Sequence, residues 1–381
     1  MAPGGTVGDI PHGKTPPHAA QGTELLTSAP ECRPTDWYLS RIAGRKRRRG
    51  NGLPHYRPVT RAQLRNAGVT RAGVPKNYLR VEYGMYVRRR DLVAENGTVT
   101  VRSVAAAVLT MAHALRHPHR IATGFAAASM FGMTCFVAEE PLEFLAPPRS
   151  GDSVPAHNRL RRTSRLSSFR DSAVVADSRD PVLRKVICTD AGTTLAAMLS
   201  TLLVRDRARS DRWPVADLTE IRPHLSPEFI RCVQVSDAFH QALGMRRPGT
   251  VAEVTAAGLV EVPDAAAVLG ATEVGAESPQ ETLLRLVVAD LAPGLRSQIP
   301  VWRDDGTLLT VVDLGWESRR VYLFYDGEHH LQRKQRDHDS EVLASLQHDG
   351  GRVLRVTAGD LKTVEAVVTL RDRVRAALGV D

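Results

Sequence analysis

The chain has 381 residues, 43% of them hydrophobic and 24% charged, with 51 Lys and Arg against 42 Asp and Glu for a net charge of +9. This is the composition of a soluble protein long enough for two or three domains with real cores, and its basic excess favours a polyanionic partner, nucleic acid first. The four cysteines, Cys32, Cys135, Cys188 and Cys232, show no CxxC spacing. That argues against a zinc site or a disulfide framework and fits a reducing cytoplasm. No apolar stretch behind the N-terminal charges reads as a signal peptide, and no run nears the roughly 20 apolar residues of a membrane span.

Residues 1–52 are rich in Pro, Gly, Thr and His and end in "GRKRRRGNG". They read as a disordered basic tail, because this composition buries too little apolar surface to fold alone. Arg45, Lys46, Arg47, Arg48 and Arg49 form its basic block. The block is either a solvated tail, even an overextended start of the reading frame, or a flexible arm that lies along DNA phosphates.

Residues 53–95 contain "PVTRAQLRNAGVTRAGVPKNYLRVEYGMYVRRR". Thr60 followed by Gln63 predicts a capping box and a short helix, Gly68 breaks it, and Thr70 caps a second helix. An alternating strand, a turn at Gly84 and a second strand follow. Two helices and a hairpin outline a winged helix-turn-helix. Arg71 and Lys76 would then face the major groove, and Arg80, Arg88, Arg89 and Arg90 would flank the wing. The plainer alternative is a small structural α/β unit. Pro75 resists the DNA-reading alternative, since it falls inside the proposed recognition helix and has no backbone donor.

Residues 96–213 read as an α/β region, with Ala-rich helices at 101–135, a strand at "PLEFLAPP", and a helix after Thr189 or Asp190. His113, His117 and His119 read as surface or boundary histidines, because no nearby carboxylate or cysteine completes a metal set. "NRLRRTSRL" is basic, and fits a solvated edge as well as a phosphate contact. Residues 214–272 read as short helices forming a connector. The polar "LGATEVGAES" then predicts a cleavable joint near 270–277.

Residues 273–381 follow the order α-β-β-β-α-β-α. Ser278 caps the first helix, with Pro279 at its first position and Glu281 three residues after the cap. "VVDLGWESRRVYLFYDGEHH" predicts a hairpin centred on Ser318–Arg319. Asp313 then lies opposite Phe324, and Asp326 shares their face, because side chains alternate with period two. Asp313 and Asp326 become diagonal neighbours on the order of 7–8 Å apart, within reach of one cation. Oxygen ligands with open positions suit magnesium (Mg²⁺), which binds substrate phosphate and can activate water.

The pieces "SPQETLLRL", "VVDLGW", "YDGEHH", "RDHDSEVL" and "GRVLRVTAGDL", in this order over 275–370, resemble the PD-(D/E)XK nuclease fold, and within it the DUF559 and very-short-patch-repair endonuclease group. The resemblance implies Glu281 as the helix acid, Asp313 as the central metal ligand and "FYDG" as the following active strand. Most relatives carry Glu where this chain has Phe324. The very-short-patch-repair version lacks that Glu too, and against it Asp326 takes the place of an acid or histidine, while His330 falls about one residue short of the expected histidine. Residues 55–205, through "VTRAQLRNAGVTRAGV", "TGFAAASMFGM" and "DAGTTLAAML", resemble the AbiEi family of type IV antitoxins, which implies promoter binding and counteraction of a nucleotidyltransferase toxin.

The sequence therefore predicts an α+β multidomain protein: an N-terminal winged helix-turn-helix, an α/β middle region and a C-terminal PD-(D/E)XK nuclease-like α/β domain. It predicts a cytoplasmic, nucleoid-associated protein that binds double-stranded DNA. Two functions fit, a Mg²⁺-dependent DNA endonuclease with catalytic residues Glu281, Asp313, Asp326 and His330 (Asp313 and Asp326 holding the metal), or a non-catalytic antitoxin-type repressor. Glu281 has a purely structural alternative as the closing residue of a capping box, and "DG" as a turn.

Overall fold

A computed structural model describes residues 37–40, 53–94, 97–148, 154–177, 180–204, 213–244, 249–326 and 342–380. Arg45, Lys46, Arg47, Arg48, Arg49 and His330 lie outside the described residues. The architecture is mixed α+β, with three sheets among the described residues. No described helix is long and apolar enough to cross a membrane.

The first sheet has the order β1-β3-β2, from β1 (Val59–Thr60), β2 (Tyr78–Glu82) and β3 (Met85–Arg88). Helices α1 (Arg61–Asn66) and α2 (Gly73–Asn77) lie between β1 and β2. Gln63 N–H donates to Thr60 Oγ1 at 3.2 Å and Thr60 N–H donates to Gln63 Oε1 at 2.7 Å, so the capping box forms. Thr70 Oγ1 accepts from Gly73 N–H at 3.1 Å. Pro75 is the third residue of α2, where the amide has no intrahelical partner in any helix, so the missing N–H costs nothing there. The hairpin packs on α3 (Ala106–Arg116).

The middle sheet has the order β6-β5-β4-β8-β7, from β4 (Ile121–Thr123), β5 (Leu142–Ala146), β6 (Asn158–Arg162), β7 (Val174–Val175) and β8 (Ile187–Cys188). Between its strands come α4 (Gly124–Met130) and α5 (Leu166–Asp171), followed by α6 (Ala191–Leu203). A Cβ on Gly124 would sit 3.7 Å from the Ala197 Cβ, so small residues set the close approach of α4 and α6.

The region read as a connector is different. Helix α7 (Pro227–Leu243) runs 17 residues, with α9 (Val262–Ala271) packed beside it and α8 (Val251–Thr255) packed on α6 and α9. Ile230, Cys232, Val233, Val235 and Phe239 are all buried. Its polar residues Gln234, Ser236, Asp237 and His240 are buried too, which hid the apolar stripe from a periodicity reading.

The last sheet has the order β12-β11-β10-β9, from β9 (Arg296–Trp302), β10 (Leu308–Trp316), β11 (Val321–Asp326) and β12 (Arg352–Thr357), with β11 and β12 parallel. Helix α10 (Pro279–Val288) precedes it, a helical stretch covers 342–348, and α11 (Val364–Leu378) ends the chain. This is the element order the sequence predicts. One sheet face packs Leu314, Trp316, Val321 and Leu323 into the core that also holds α10 and α11 residues. Gly315 leaves no room for a Cβ, which would lie 2.6 Å from the Val321 carbonyl oxygen.

The expected joint at 270–277 is not a joint. Residues 273–276 are buried, and one apolar cluster runs from Val81 to Leu378. A buried polar network crosses the same place. Asp237 on α7 accepts from Glu273 N–H at 2.7 Å, Thr282 Oγ1 at 2.8 Å and Arg285 Nη2 at 2.8 Å. Arg285 also pairs with Glu273 at 3.2 Å, and Ser297 on β9 donates to Glu273. The N-terminal stretch contributes here as well. Tyr38 is 1% exposed, donates to Glu277 Oε1 at 2.5 Å and accepts from Gln241 at 3.3 Å, while Trp37 meets Trp302 edge-on at 5.6 Å. The disordered reading of 1–52 therefore does not extend to these aromatic anchors.

Breaking this network strands its other members. Asp237→Ala leaves the Arg285 guanidinium and Thr282 buried without their acceptor, and an expected cost is roughly 3–5 kcal/mol. Urea denaturation checks the loss. In the native wild type, limited proteolysis should leave 273–276 uncut.

Candidate active site

Glu281 stands in the first turn of α10, where Ser278 Oγ caps its backbone N–H at 3.2 Å. The reciprocal half of a capping box does not form. Glu281 Oε2 instead accepts from Glu277 N–H at 2.9 Å and from the Gln298 side chain of β9 at 3.1 Å. Burial first, and then the neighbouring Asp313 charge, push its carboxyl up to about 8.

The β10–β11 register is the expected one. The paired ladder runs from Trp316 with Val321 to Leu314 with Leu323 and stops one residue short of the expected Asp313–Phe324 pair. Asp313 Oδ2 accepts from Tyr325 N–H at 2.8 Å, so its carboxylate is held at the point where the ladder ends. Phe324 packs with Leu309, Val342 and Leu346 on the sheet face away from α10. Asp326 is drawn instead toward Arg355 of β12, 3.8 Å away. Glu281, Asp313 and Asp326 do not place three carboxylate oxygens within 4.8 Å of one another. Gln298 bonds Glu281, the Asp313 charge neighbours that carboxyl, and Asp326 stands beside Arg355. Gln298 was not found by sequence reasoning. Its only signal was a polar residue inside an apolar strand.

The basic residues of the first unit sit on its outside. Arg61, Arg65, Arg71, Lys76, Arg80, Arg88 and Arg90 are exposed. Arg89 is partly buried and donates to the Val99 carbonyl at 3.4 Å. Residues 53–94 hold nine Lys and Arg against two acids, and one of those acids, Glu82, is turned inward.

Glu82 corrects the reading of the histidines. His113 is fully buried, with Nδ1 2.7 Å from Glu82 Oε2 and Nε2 2.9 Å from Arg120 Nη1. An arginine can only donate, so Nε2 accepts from Arg120, while Nδ1 faces both Glu82 Oε2 and, at 3.0 Å, the Asn158 side-chain amide. Burial would raise the Glu82 carboxyl, but hydrogen bonds from His113 and the Tyr83 N–H outweigh it and hold the group below its ordinary range. Glu82, His113 and His117 put three ligand atoms within 4.8 Å of one another, the one such group among the described residues, and could hold a metal ion. The Arg120 cation against the same ring opposes one. The carboxylate lies 31 positions before His113 in sequence, which is why no local spacing revealed it.

No known protein family, curated protein or solved structure matches the chain.

The Glu281 carboxyl yields a pH prediction. Its folded-state pKa lies above the usual 4.5, so the folded protein binds this proton more tightly than the unfolded chain. That contribution is complete below about 4.5 and is lost as pH rises through about 8. Glu281→Gln removes the titration. Thermal melts should show the variant gaining on wild type across this window, by on the order of a few kcal/mol at its alkaline end.

Proposed function

We propose that this is a double-stranded-DNA-binding protein whose C-terminal acid site hydrolyses phosphodiester bonds with a divalent cation. The observation that carries the reading is the meeting of Glu281 from α10 with Asp313 from β10, beside the Gln298 amide. The α-β-β-β-α-β-α order and the mixed four-stranded sheet around this pair support the resemblance to PD-(D/E)XK nucleases. Two carboxylates are a hard oxygen donor set of the size Mg²⁺ uses when water and substrate phosphate complete its sphere. Glu281 and Asp313 would hold the ion, which supplies charge to the phosphoryl oxygens and an activated water. Asp326, engaged by Arg355, is left out of the set.

The chain's own residues do the rest. Exposed Arg71, Lys76, Arg80 and Arg88 would neutralise backbone phosphates, with Arg71 and Lys76 on or beside the short helix α2 of the winged helix-turn-helix outline. The basic block 45–49 would extend that contact.

A second reading is a non-catalytic antitoxin-type repressor of a nucleotidyltransferase toxin. Phe324 in an apolar cluster, where related nucleases carry an acid, favours it.

Two measurements decide. Supercoiled plasmid incubated with Mg²⁺ or Mn²⁺ should be nicked or cut by wild type and left intact by Asp313→Ala. No cleavage by wild type, with binding to DNA retained, would favour the repressor. In binding titrations, the double variant Arg71→Ala, Lys76→Ala should reduce the slope of log affinity against log salt by about 1.8, if each residue neutralises one phosphate.

A further inference from the structure

Three non-glycine residues among those described have a left-handed backbone: Phe136, Gln298 and Arg320. Phe136 lies outside any helix or strand, and Arg320 closes the β10–β11 hairpin, places where such a conformation has a turn to serve. Gln298 has none. It lies in the middle of β9 with φ of 52° and is 4% exposed.

An inserted residue does not explain it. Ser297 pairs with Leu314 and Ile299 pairs with Val312, so the register is the same on both sides of Gln298. Between these two pairs the regular pairing is interrupted where Gln298 faces Asp313, and the register shift of this ladder lies elsewhere, between Leu308 and Thr310. The strained residue therefore stands directly across from one acid of the site. Its side chain reaches the other, donating from Nε2 to Glu281 Oε2 at 3.1 Å. Side chains other than glycine adopt this backbone only where the surroundings impose it, and such positions gather at functional sites.

We propose that Gln298 is a positioning residue: the left-handed turn in β9 aims its amide at Glu281 and fixes that carboxyl against Asp313 for a divalent cation. The cation role rests on the nuclease reading above. With Glu277 N–H and the Gln298 amide both on Oε2, the Glu281 carboxyl is pinned from α10 and from β9 at once. Helix and strand could not drift apart without breaking one of these bonds.

Gln298→Asn tests this in the full chain. Asparagine accepts a left-handed backbone and keeps an amide, but is one methylene too short to make the same bond. Gln298→Gly relieves the backbone and removes the amide, and serves as the second variant. Mn²⁺ binding followed by calorimetry should weaken roughly tenfold or more in both, the usual effect of losing a ligand's orienting partner. Without metal, thermal melts of Glu281→Ala, Gln298→Asn and the double variant should show the two changes coupled rather than additive. Wild-type Mn²⁺ affinity in both Gln298 variants would overturn the positioning role and leave the nuclease reading standing. Strict additivity would overturn the Gln298–Glu281 link. No Mn²⁺ binding by the wild type would overturn the nuclease reading, and the cation role of Gln298 with it.

Discussion

The Asp237 carboxylate is the constraint on which the placement of the C-terminal unit depends. It sits inside α7 and binds, at once, the backbone of residue 273 and two side chains of α10. A buried carboxylate tolerates only donors that satisfy it, so Thr282 and Arg285 have one azimuth at which α10 can lie against α7. That azimuth sets Glu281, one residue before Thr282, at the start of the helix and toward β9. Glu273 carries the same constraint onward, because it takes Arg285 on one side and Ser297 on the other. Ser297 is the neighbour of Gln298. The geometry of the acid site is thus inherited from a charged network that never touches it. An all-apolar interface of the same area would hold the helix and strand together but would leave their rotation far less specified.

The charge of the molecule is partitioned with the same economy. Outside residues 53–94 the remaining chain has 42 Lys and Arg against 40 acids, so the excess lies almost wholly in one small unit. Within that unit Glu82 is taken out of circulation by His113, whose far nitrogen is in turn held by Arg120. The imidazole separates a buried acid from a buried cation and fastens β2 to α3. The outer face keeps only cations, apart from Asp91 beside Arg90 at 3.9 Å. A surface of this kind attracts any polyanion over a Debye length of about 10 Å at ordinary ionic strength, and it discriminates nothing by itself. Selectivity has to come from what α2 and the hairpin present.

Much of this was legible in the sequence, and the reasons for the rest are specific. Caps, turns and periodicity are local, so Thr60 with Gln63, Ser278 with Pro279, and the β10–β11 register from Leu314 to Trp316 could be read from short windows. Three features could not. Helix α7 carries four buried polar residues, and Gln234, Ser236 and Asp237 reach partners far along the chain, so it resembled a connector. Glu82 meets His113 across 31 positions. Gln298 is set by a backbone angle that no residue type announces. Each is a long-range satisfaction of a polar group, invisible until the partner is in place.

The departure at Phe324 then has a physical sense within the proposed reading. An acid at that position would add a third negative charge beside Asp313, in a site where burial and one neighbouring carboxylate already hold a proton on Glu281 up to about 8. Phenylalanine instead packs with Val342 and Leu346 and steadies the helical stretch that follows. Asp326 is balanced by Arg355. In the absence of a cation, a proton held on Glu281 lowers the negative charge beside Asp313, and the electrostatic cost of bringing a phosphate there falls accordingly. The loss of one carboxylate weakens the site's hold on a free cation and eases the entry of the polyanion that would help to bind it.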